Sequence, residues 1–162
     1  MDNDSQQKLT HLIRNGRIAS LGTLRQGAPF VSMVLYTPAA NFGAFYIHIS
    51  RLAHHTQDIL QDPRVSLMIV EQDTLEVDAA HKNDAALARL SILGHAVEVV
   101  ADSEEYTQVK EAYLGKYPQA QPLFDFKDFS IFRIQPESAR YVAGFARAFN
   151  LSASQLKKTS EP

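Results

Sequence analysis

Apolar residues recur at two different spacings along the chain, and these spacings predict where helices and strands lie. Residues 5–14 carry apolar side chains at helical spacing, and Gly16 follows where such a helix would end. Residues 17–24 and 30–37 are two apolar runs rich in β-forming side chains, with a glycine-containing turn at 25–29 between them. This arrangement predicts an opening helix followed by a β-hairpin.

The rest of the chain continues this alternation of short segments. Further strands are predicted at residues 44–50, 64–71, 89–100 and 128–134, helices at 51–62 and from 102 to about 114, a long polar loop at 72–87, and a closing segment at 139–149. Short strands joined mostly by tight turns favour an antiparallel α+β domain over alternating β and α units. A small closed or split barrel would also remove exposed sheet edges.

Composition narrows the class of protein. A chain of 162 residues with 45% hydrophobic and 21% charged residues is typical of one globular domain and leaves no room for a separate cofactor domain. A net charge of −2 argues against nucleic acid as a partner. The absence of cysteine excludes disulfides, thiolate metal sites and cysteine nucleophiles. Neither a signal peptide nor a membrane-spanning run is evident, so a cytoplasmic protein is expected.

The densest group of polar side chains lies where a predicted strand meets a predicted helix. Ser50, Arg51, His55 and Thr56 stand there. A helix N-terminus carries unpaired N–H groups and partial positive charge, so these side chains are suited to holding a phosphate. A plain helix capped by Ser50, with solvated side chains, is the alternative that the same pattern allows.

Other chemical signals are weaker. His54 and His55 are adjacent and would point about 100° apart on a helix, and no further ligand follows at a recognisable spacing, so no metal site is predicted. Arg89 begins a predicted strand. It is either an ordinary charge at the strand edge or a cation that binds a ligand. Residues 141–149 combine glycine, aromatic and arginine side chains, which alone favours a packing corner. No catalytic residue is assigned, since neither a G-x-S-x-G turn nor a phosphate-binding glycine loop occurs.

Three segments, in order, resemble the FMN-binding split-barrel proteins related to pyridoxamine 5′-phosphate oxidase. They are the hairpin at 18–34, the segment 45–69 and the segment 84–94. Within them, Ser-x-Leu-Ala-x-His-Thr and Asp-Pro-Arg-Val-Ser-Leu, together with a later Gly-Phe-x-Arg-Ala, are similar to the haem-utilisation branch. The likeness extends from about residue 9 to residue 149.

The resemblance implies a mainly β (α+β) fold, a six-stranded antiparallel split β-barrel with flanking helices. It implies one domain over residues 1–150, a polar C-terminal tail over 151–162, and a homodimer with FMN at the subunit interface. The implied FMN contacts are Val31, Ser32, Met33 and Val34 along the flavin, Ser50, Arg51, His55 and Thr56 at the phosphate, Arg89 as a further cation, and Gly144, Phe145 and Arg147 closing the site.

The chain also departs from these relatives. Residues 31–36 read Val-Ser-Met-Val-Leu-Tyr where pyridoxamine phosphate oxidases carry Arg-x-Val-Leu-Leu-Lys, so pyridoxamine phosphate is not the expected substrate. Two functional hypotheses follow from the resemblance. The first is an FMN-dependent oxidoreductase with an unassigned small-molecule substrate. The alternative is a haem-binding or haem-degrading utilisation protein, or a non-catalytic flavin-binding protein.

Overall fold

Strands make up most of the regular structure. The computed structural model describes residues 1–71, 87–144 and 147–161. The helices in this part are α1 (Asn3–Asn15), α2 (His54–Gln61), α3 (Glu104–Lys116) and α4 (Ala153–Lys158), with a 3₁₀ helix at Pro118–Asp125. The strands are β1 (Ile18–Arg25), β2 (Ala28–Leu35), β3 (Thr37–Pro38), β4 (Phe45–Ser50), β5 (Arg64–Val70), β6 (Arg89–Glu98), β7 (Phe129–Val142) and β8 (Ala148–Ser152).

The strands form one antiparallel sheet that curls into a half-barrel with the helices on its flanks. Its order is β2-β1-β5-β6-β7-β4-β3, and β8 pairs with β7. The predicted split-barrel fold is therefore confirmed, but the described chain has eight strands rather than six. The two extra strands are the short β3, which pairs only two residues with β4, and β8, which pairs with the end of β7. Most of the predicted loop at 72–87 lies outside the described residues.

The hydrophobic core lies on the inner side of the sheet, where alternate residues of each strand point. On β5, for example, Leu67 and Ile69 are fully buried, while Ser66 and Met68, which alternate with them, are more exposed. Helix α1 adds Leu9 and Ile13 to the same core, in the spacing that the sequence indicates. Burying this apolar stripe is the main reason for a helix of this length to be stable.

The end of the chain packs against the sheet. Leu151 on β8 and Leu156 on α4 are buried in the core. Helix α4 begins with a capping box, in which the Ser152 hydroxyl accepts from the Gln155 N–H and the Gln155 side chain accepts from the Ser152 N–H. The residues expected to form a polar tail thus contain a strand and a helix, because two buried leucines, the pairing of β8 with β7 and hydrogen bonds from α1 hold an otherwise polar segment.

His48 lies inside a cluster of aromatic rings between β4 and the 3₁₀ helix. Only 7% of the residue is exposed. Its ring stacks on Phe124 with a centroid distance of 3.9 Å and meets the edge of Tyr113 at 5.8 Å. Neither ring nitrogen has a hydrogen-bond partner among the described residues. Burial, reinforced by the Lys110 ammonium, lowers the pKa of His48 to about 4, so the ring is neutral at pH 7.

Protonation of His48 is expected to destabilise the fold as the pH falls. The unfolded chain takes up this proton near pH 6.5 and the native state only near pH 4, so the contribution to stability is complete above pH 6.5 and is lost progressively down to pH 4. The loss over this window is about 3 kcal/mol. Urea unfolding at pH 7 and pH 4.5 measures it, and His48→Phe should remove most of the difference.

The matched control for this measurement is His11→Gln, since His11 lies on the exposed side of α1. This variant should keep the pH dependence of the wild type. A His48→Phe protein whose free energy of unfolding still falls as steeply between the two pH values would contradict the assignment.

Candidate functional site

The polar group predicted at the junction of β4 and α2 is assembled in the structure, but its side chains bond to each other and to carboxylates. The Ser50 hydroxyl donates to the Asp128 carboxylate at 2.7 Å. The Thr56 hydroxyl donates to the Ser50 carbonyl at 2.6 Å. The Arg51 guanidinium forms an ion pair with Glu98. Two carboxylates thus occupy the surroundings in which a phosphate was expected, and their charge opposes a second anion.

His55 stands in the first turn of α2 and is half-buried. Burial lowers the pKa of His55, against the attraction of the Asp58 carboxylate and with a small repulsion from His54. The residue before the helix, Ala53, makes no side-chain capping bond. The capped-helix alternative with Ser50 as the cap is therefore not what the structure shows either, since Ser50 accepts from the Leu52 N–H in the loop instead.

Helix α2 is held in place by a buried carboxylate. Asp58, 5% exposed, accepts a hydrogen bond from the Thr23 hydroxyl at 2.9 Å and two from the Arg25 guanidinium at 3.2 and 3.3 Å. Burial opposes ionisation, but these donors hold the pKa of Asp58 below its usual value of 3.8. The Arg25 guanidinium also lies 3.9 Å from the centre of the Phe30 ring. This network fixes the β1–β2 hairpin to the helix.

Removal of the Asp58 carboxylate should loosen this contact. Asp58→Ala leaves the Thr23 hydroxyl and the Arg25 guanidinium without their acceptor, and a loss of about 2–3 kcal/mol in the free energy of unfolding is expected. The control is Asp62→Ala, because Asp62 pairs with Arg64 at the surface and its removal should cost clearly less stability than that of Asp58. Equal losses in the two variants, measured by urea unfolding at pH 7, would show that the network does not anchor α2.

The four consecutive residues predicted along the flavin are divided between the two sides of the sheet. Val31 and Met33 point outward and are 66% and 64% exposed, while Val34 belongs to the core. The Ser32 hydroxyl is buried and has no hydrogen-bond partner among the described residues. This division follows from the period of two in a strand, so the four side chains do not line one wall.

The remaining predicted residues lie at other places in the fold. Arg89 begins β6 and donates to the Leu87 carbonyl at 3.3 Å. Gly144 has a φ of +108°, a conformation that favours glycine. Arg147 faces the start of α1, 3.6 Å from the Asp2 carboxylate. Phe145 lies outside the described residues. Assignment of these residues to a ligand site stays a prediction.

The outer side of the half-barrel carries a broad apolar surface, which we call the outer face. Strand register aligns its residues in two rows: Val31, Gly22, Ser66, Leu93 and Ser138, and Met33, Ser20, Met68, Ser91 and Arg140. Valine, leucine and methionine side chains stand exposed beside glycine and serine, which leaves the middle flat. An ideal Cβ on Gly22 would come within 2.3 Å of the Ser66 Oγ, so a larger residue there would require the Ser66 hydroxyl to rotate.

Sequence analysis missed Met68, Leu93 and Arg140 as parts of this surface. The alternation of buried and exposed residues in β5 and β6 indicates which side chains face outward. It does not indicate which strands are neighbours. That information comes only from the register of the sheet.

A groove lies beside α1, away from the outer face. It has a volume of about 680 Å³ and runs between α1 and residues 160–161, and its lining is polar or charged: Asn3, Gln6, Gln7, Thr10, His11, Arg14, Asn15, Ser160 and Glu161. No helix in the described ranges has the length and apolar character to cross a bilayer. Within the same ranges, no three His, Asp or Glu side chains are grouped as metal ligands.

Comparison with known families decides the classification. A family model described as CREG, beta-barrel, matches residues 5–156. The chain belongs to the CREG β-barrel family. A structure of a Clostridium acetobutylicum protein related to general stress protein 26, of the pyridoxinephosphate oxidase family, shares the fold, with a TM-score of 0.67, 13% identity and coverage of 96% of this chain and 99% of that one.

Two relatives of this CREG-family chain are more similar in sequence. The chain is 36% identical over 143 residues to the chloroplastic heme oxygenase HOZ of Arabidopsis thaliana, covering 88% of this chain but only 40% of the relative. It is 32% identical over 133 residues to the heme oxygenase HutZ of Vibrio cholerae, covering 81% of this chain and 71% of the relative. A solved structure of HutZ, described there as a heme storage protein, has a TM-score of 0.68 and 26% identity, covering 83% and 89% of the two chains.

These comparisons confirm the resemblance to the split-barrel proteins and to their haem-utilisation branch. The prediction of FMN as the cofactor is wrong, because the relatives that share about a third of the sequence are named for haem. A physical reason lies at the β4–α2 junction. Hydroxyl and guanidinium groups were assigned to a phosphate by their residue type, their place at a helix N-terminus and the family resemblance, and in the structure Ser50 and Arg51 contact Asp128 and Glu98.

Proposed function

We propose that this protein binds haem and degrades it, acting as a homodimer. The observation that carries the proposal is the identity of 36% over 88% of the chain to a named heme oxygenase. A second named heme oxygenase, at 32% identity over 81% of the chain, supports the same assignment. Since the chain spans less than half of the first relative's length, its activity is inferred from this shared part alone.

The outer face has the chemistry that a haem requires. A haem is a flat apolar ring with an iron at its centre and two propionates at one edge. Val31, Met33 and Leu93 offer exposed apolar contacts, and the glycine and serine residues between them allow a flat ring to approach the backbone closely. Arg140, whose guanidinium also donates to Asn150 at 2.9 Å, stands in the same register as a charge for a propionate.

The same face supports the homodimer. Ile18, Val31, Met33, Met68 and Leu93 are all exposed on it, and a contiguous apolar surface of this kind is usually covered in a soluble protein. A second copy brings an identical surface, which suits a two-fold symmetric interface. Two copies of the half-barrel enclose a ligand more completely than one, and this reduces the access of water to the haem.

Haem is the substrate in this proposal. Its oxidative cleavage consumes molecular oxygen, protons and electrons from an external donor, and it releases iron, water and a linear tetrapyrrole, with the bridging carbon at the cleaved position oxidised and either released or kept on the product as a carbonyl. The chain's own contribution is to bind the ring, to fix its propionates by charge and to exclude water from its faces. No acid or base within the chain is assigned to the reaction.

Haem storage is a second candidate function, because the solved HutZ structure is described as that of a heme storage protein. Storage requires the same apolar face and propionate contacts but no turnover. Binding and degradation are therefore measured separately.

The proposal predicts that hemin titrates to saturation at one equivalent per binding site, with a shift of its Soret absorption. With a reductant and oxygen, and with catalase present to remove peroxide, the Soret band should then decay as a linear tetrapyrrole forms. Saturable binding with no product would leave storage as the function. If the absorption changes on adding hemin do not exceed those in buffer without protein, both haem degradation and haem storage are rejected.

The dimer is tested by a charge on the outer face. Met33→Asp places a carboxylate among apolar side chains and should convert a dimer into a monomer in light scattering coupled to gel filtration, because each copy would bury an unpaired carboxylate in the interface. The control is Leu60→Asp, since Leu60 is also exposed but lies on α2. A wild-type protein that is monomeric at micromolar concentration would contradict this part of the proposal.

A further inference from the structure

A histidine with a carboxylate partner lies at the border of the outer face. His95 is on β6, and the residues two positions before and after it, Leu93 and Val97, are 56% and 48% exposed. Side chains separated by two positions on a strand stand on the same side, about 7 Å apart. The imidazole is thus flanked by two exposed apolar side chains on one surface.

A β-bulge brings the carboxylate to this histidine. Leu93 pairs with Ser138 and Gly94 pairs with Pro136, so Glu137 is the extra residue on β7. An ideal Cβ on Gly94 would come within 2.1 Å of the Gln135 carbonyl oxygen, so the close approach of the two strands at the bulge requires a glycine. Bulges change the direction of a side chain, and here the Glu137 carboxylate lies 2.9 Å from the His95 Nδ1.

The Glu137 carboxylate, 2.9 Å from Nδ1, leaves the second ring nitrogen for another partner. A carboxylate beside Nδ1 favours the proton on that nitrogen, so the lone pair of a neutral imidazole is on Nε2, and Nε2 has no hydrogen-bond partner among the described residues. Histidines that bind metals in proteins very often donate their other N–H to a carboxylate, which fixes the ring and raises its basicity. His95 therefore has the form of an iron ligand.

The other histidines that the structure describes lack this combination. His48 is buried among aromatic rings. His11 bonds to the Asn15 amide in the polar groove. His54 and His55 lie at the start of α2, and neither is within 4 Å of a carboxylate oxygen among the described residues. Only His95, of these five, joins a carboxylate partner to an exposed apolar setting.

We infer that His95 is the axial ligand of the haem iron and that Glu137 is its positioning residue, an inference that rests on the proposed binding of haem. Leu93 and Val97 contact the porphyrin on either side of the ligand.

The experiment compares hemin with iron-free protoporphyrin IX as probes. In His95→Ala, hemin affinity should fall by about tenfold or more, the histidine-ligated absorption and electron paramagnetic resonance spectra should be lost, and added imidazole should restore them. Iron-free porphyrin should bind His95→Ala about as well as wild type, because it makes no iron bond. His54→Ala is the matched control and should behave as wild type with both probes.

Glu137→Gln tests the positioning residue. It retains an oxygen acceptor for Nδ1–H but removes the charge, and hemin affinity should fall by about 10- to 100-fold while the spectrum remains that of a histidine complex. His95→Gln, with its circular dichroism compared with wild type, separates loss of the ligand from loss of the fold.

The outcomes distinguish the two levels of inference. If wild type binds hemin and the His95 variants keep its affinity and spectrum, the ligand assignment is overturned and the proposed function stands. If wild type binds neither hemin nor iron-free porphyrin, the proposed function fails, and the assignment of His95 fails with it. Loss of both probes in a folded His95→Ala protein would also overturn the ligand role, since it would show a packing contribution instead.

Discussion

The pairing of β6 with β7 is the contact on which the rest of the structure depends. It joins β2, β1 and β5 on one side to β4, β3 and β8 on the other, and it is the most extensive register in the sheet. Because each strand alternates between inner and outer side chains, this single register determines which residues enter the core and which form the outer face. The bulge at Gly94 interrupts the register once, and this interruption places Glu137 beside His95.

Charged side chains are paired with each other at the β4–α2 junction, whereas on the outer face they lie beside an apolar surface. At the β4–α2 junction, the polar groups that would suit an anionic ligand are already satisfied by Asp128 and Glu98, and Asp58 fixes the helix to the hairpin. On the outer face, arginines border an apolar surface. A flat apolar ligand with an acidic edge fits the second arrangement better than the first, and haem is a ligand of this kind.

Much of the fold was predictable from the sequence. The helical spacing of α1, the first hairpin and the strands β4, β5 and β6 were located close to their observed positions, since each has a local pattern of hydrophobic residues. The extent of β7 and the existence of β8 were not predictable. These segments contain many polar residues, and strand pairing rather than their own composition stabilises them. The candidate site was predictable only in part. Residue types at Ser50 and Arg51 predicted an anion site, but in the structure these side chains contact Asp128 and Glu98, which are about 50 to 80 residues away in the chain.

The sequence by itself determined an antiparallel α+β fold through local periodicity, and its short ordered motifs carried the resemblance to the split-barrel proteins and their haem-utilisation branch. Only the tertiary structure decided which polar groups are free to bind a ligand. The Ser50 hydroxyl donates to Asp128, and Arg51 pairs with Glu98, so neither is free to bind an anion. No local sequence pattern contains these contacts. In the same way, the pairing of His95 with Glu137 exists only because two distant strands meet with one residue out of register. Hydrogen-bond satisfaction is a property of the folded chain, and residue type alone does not show it.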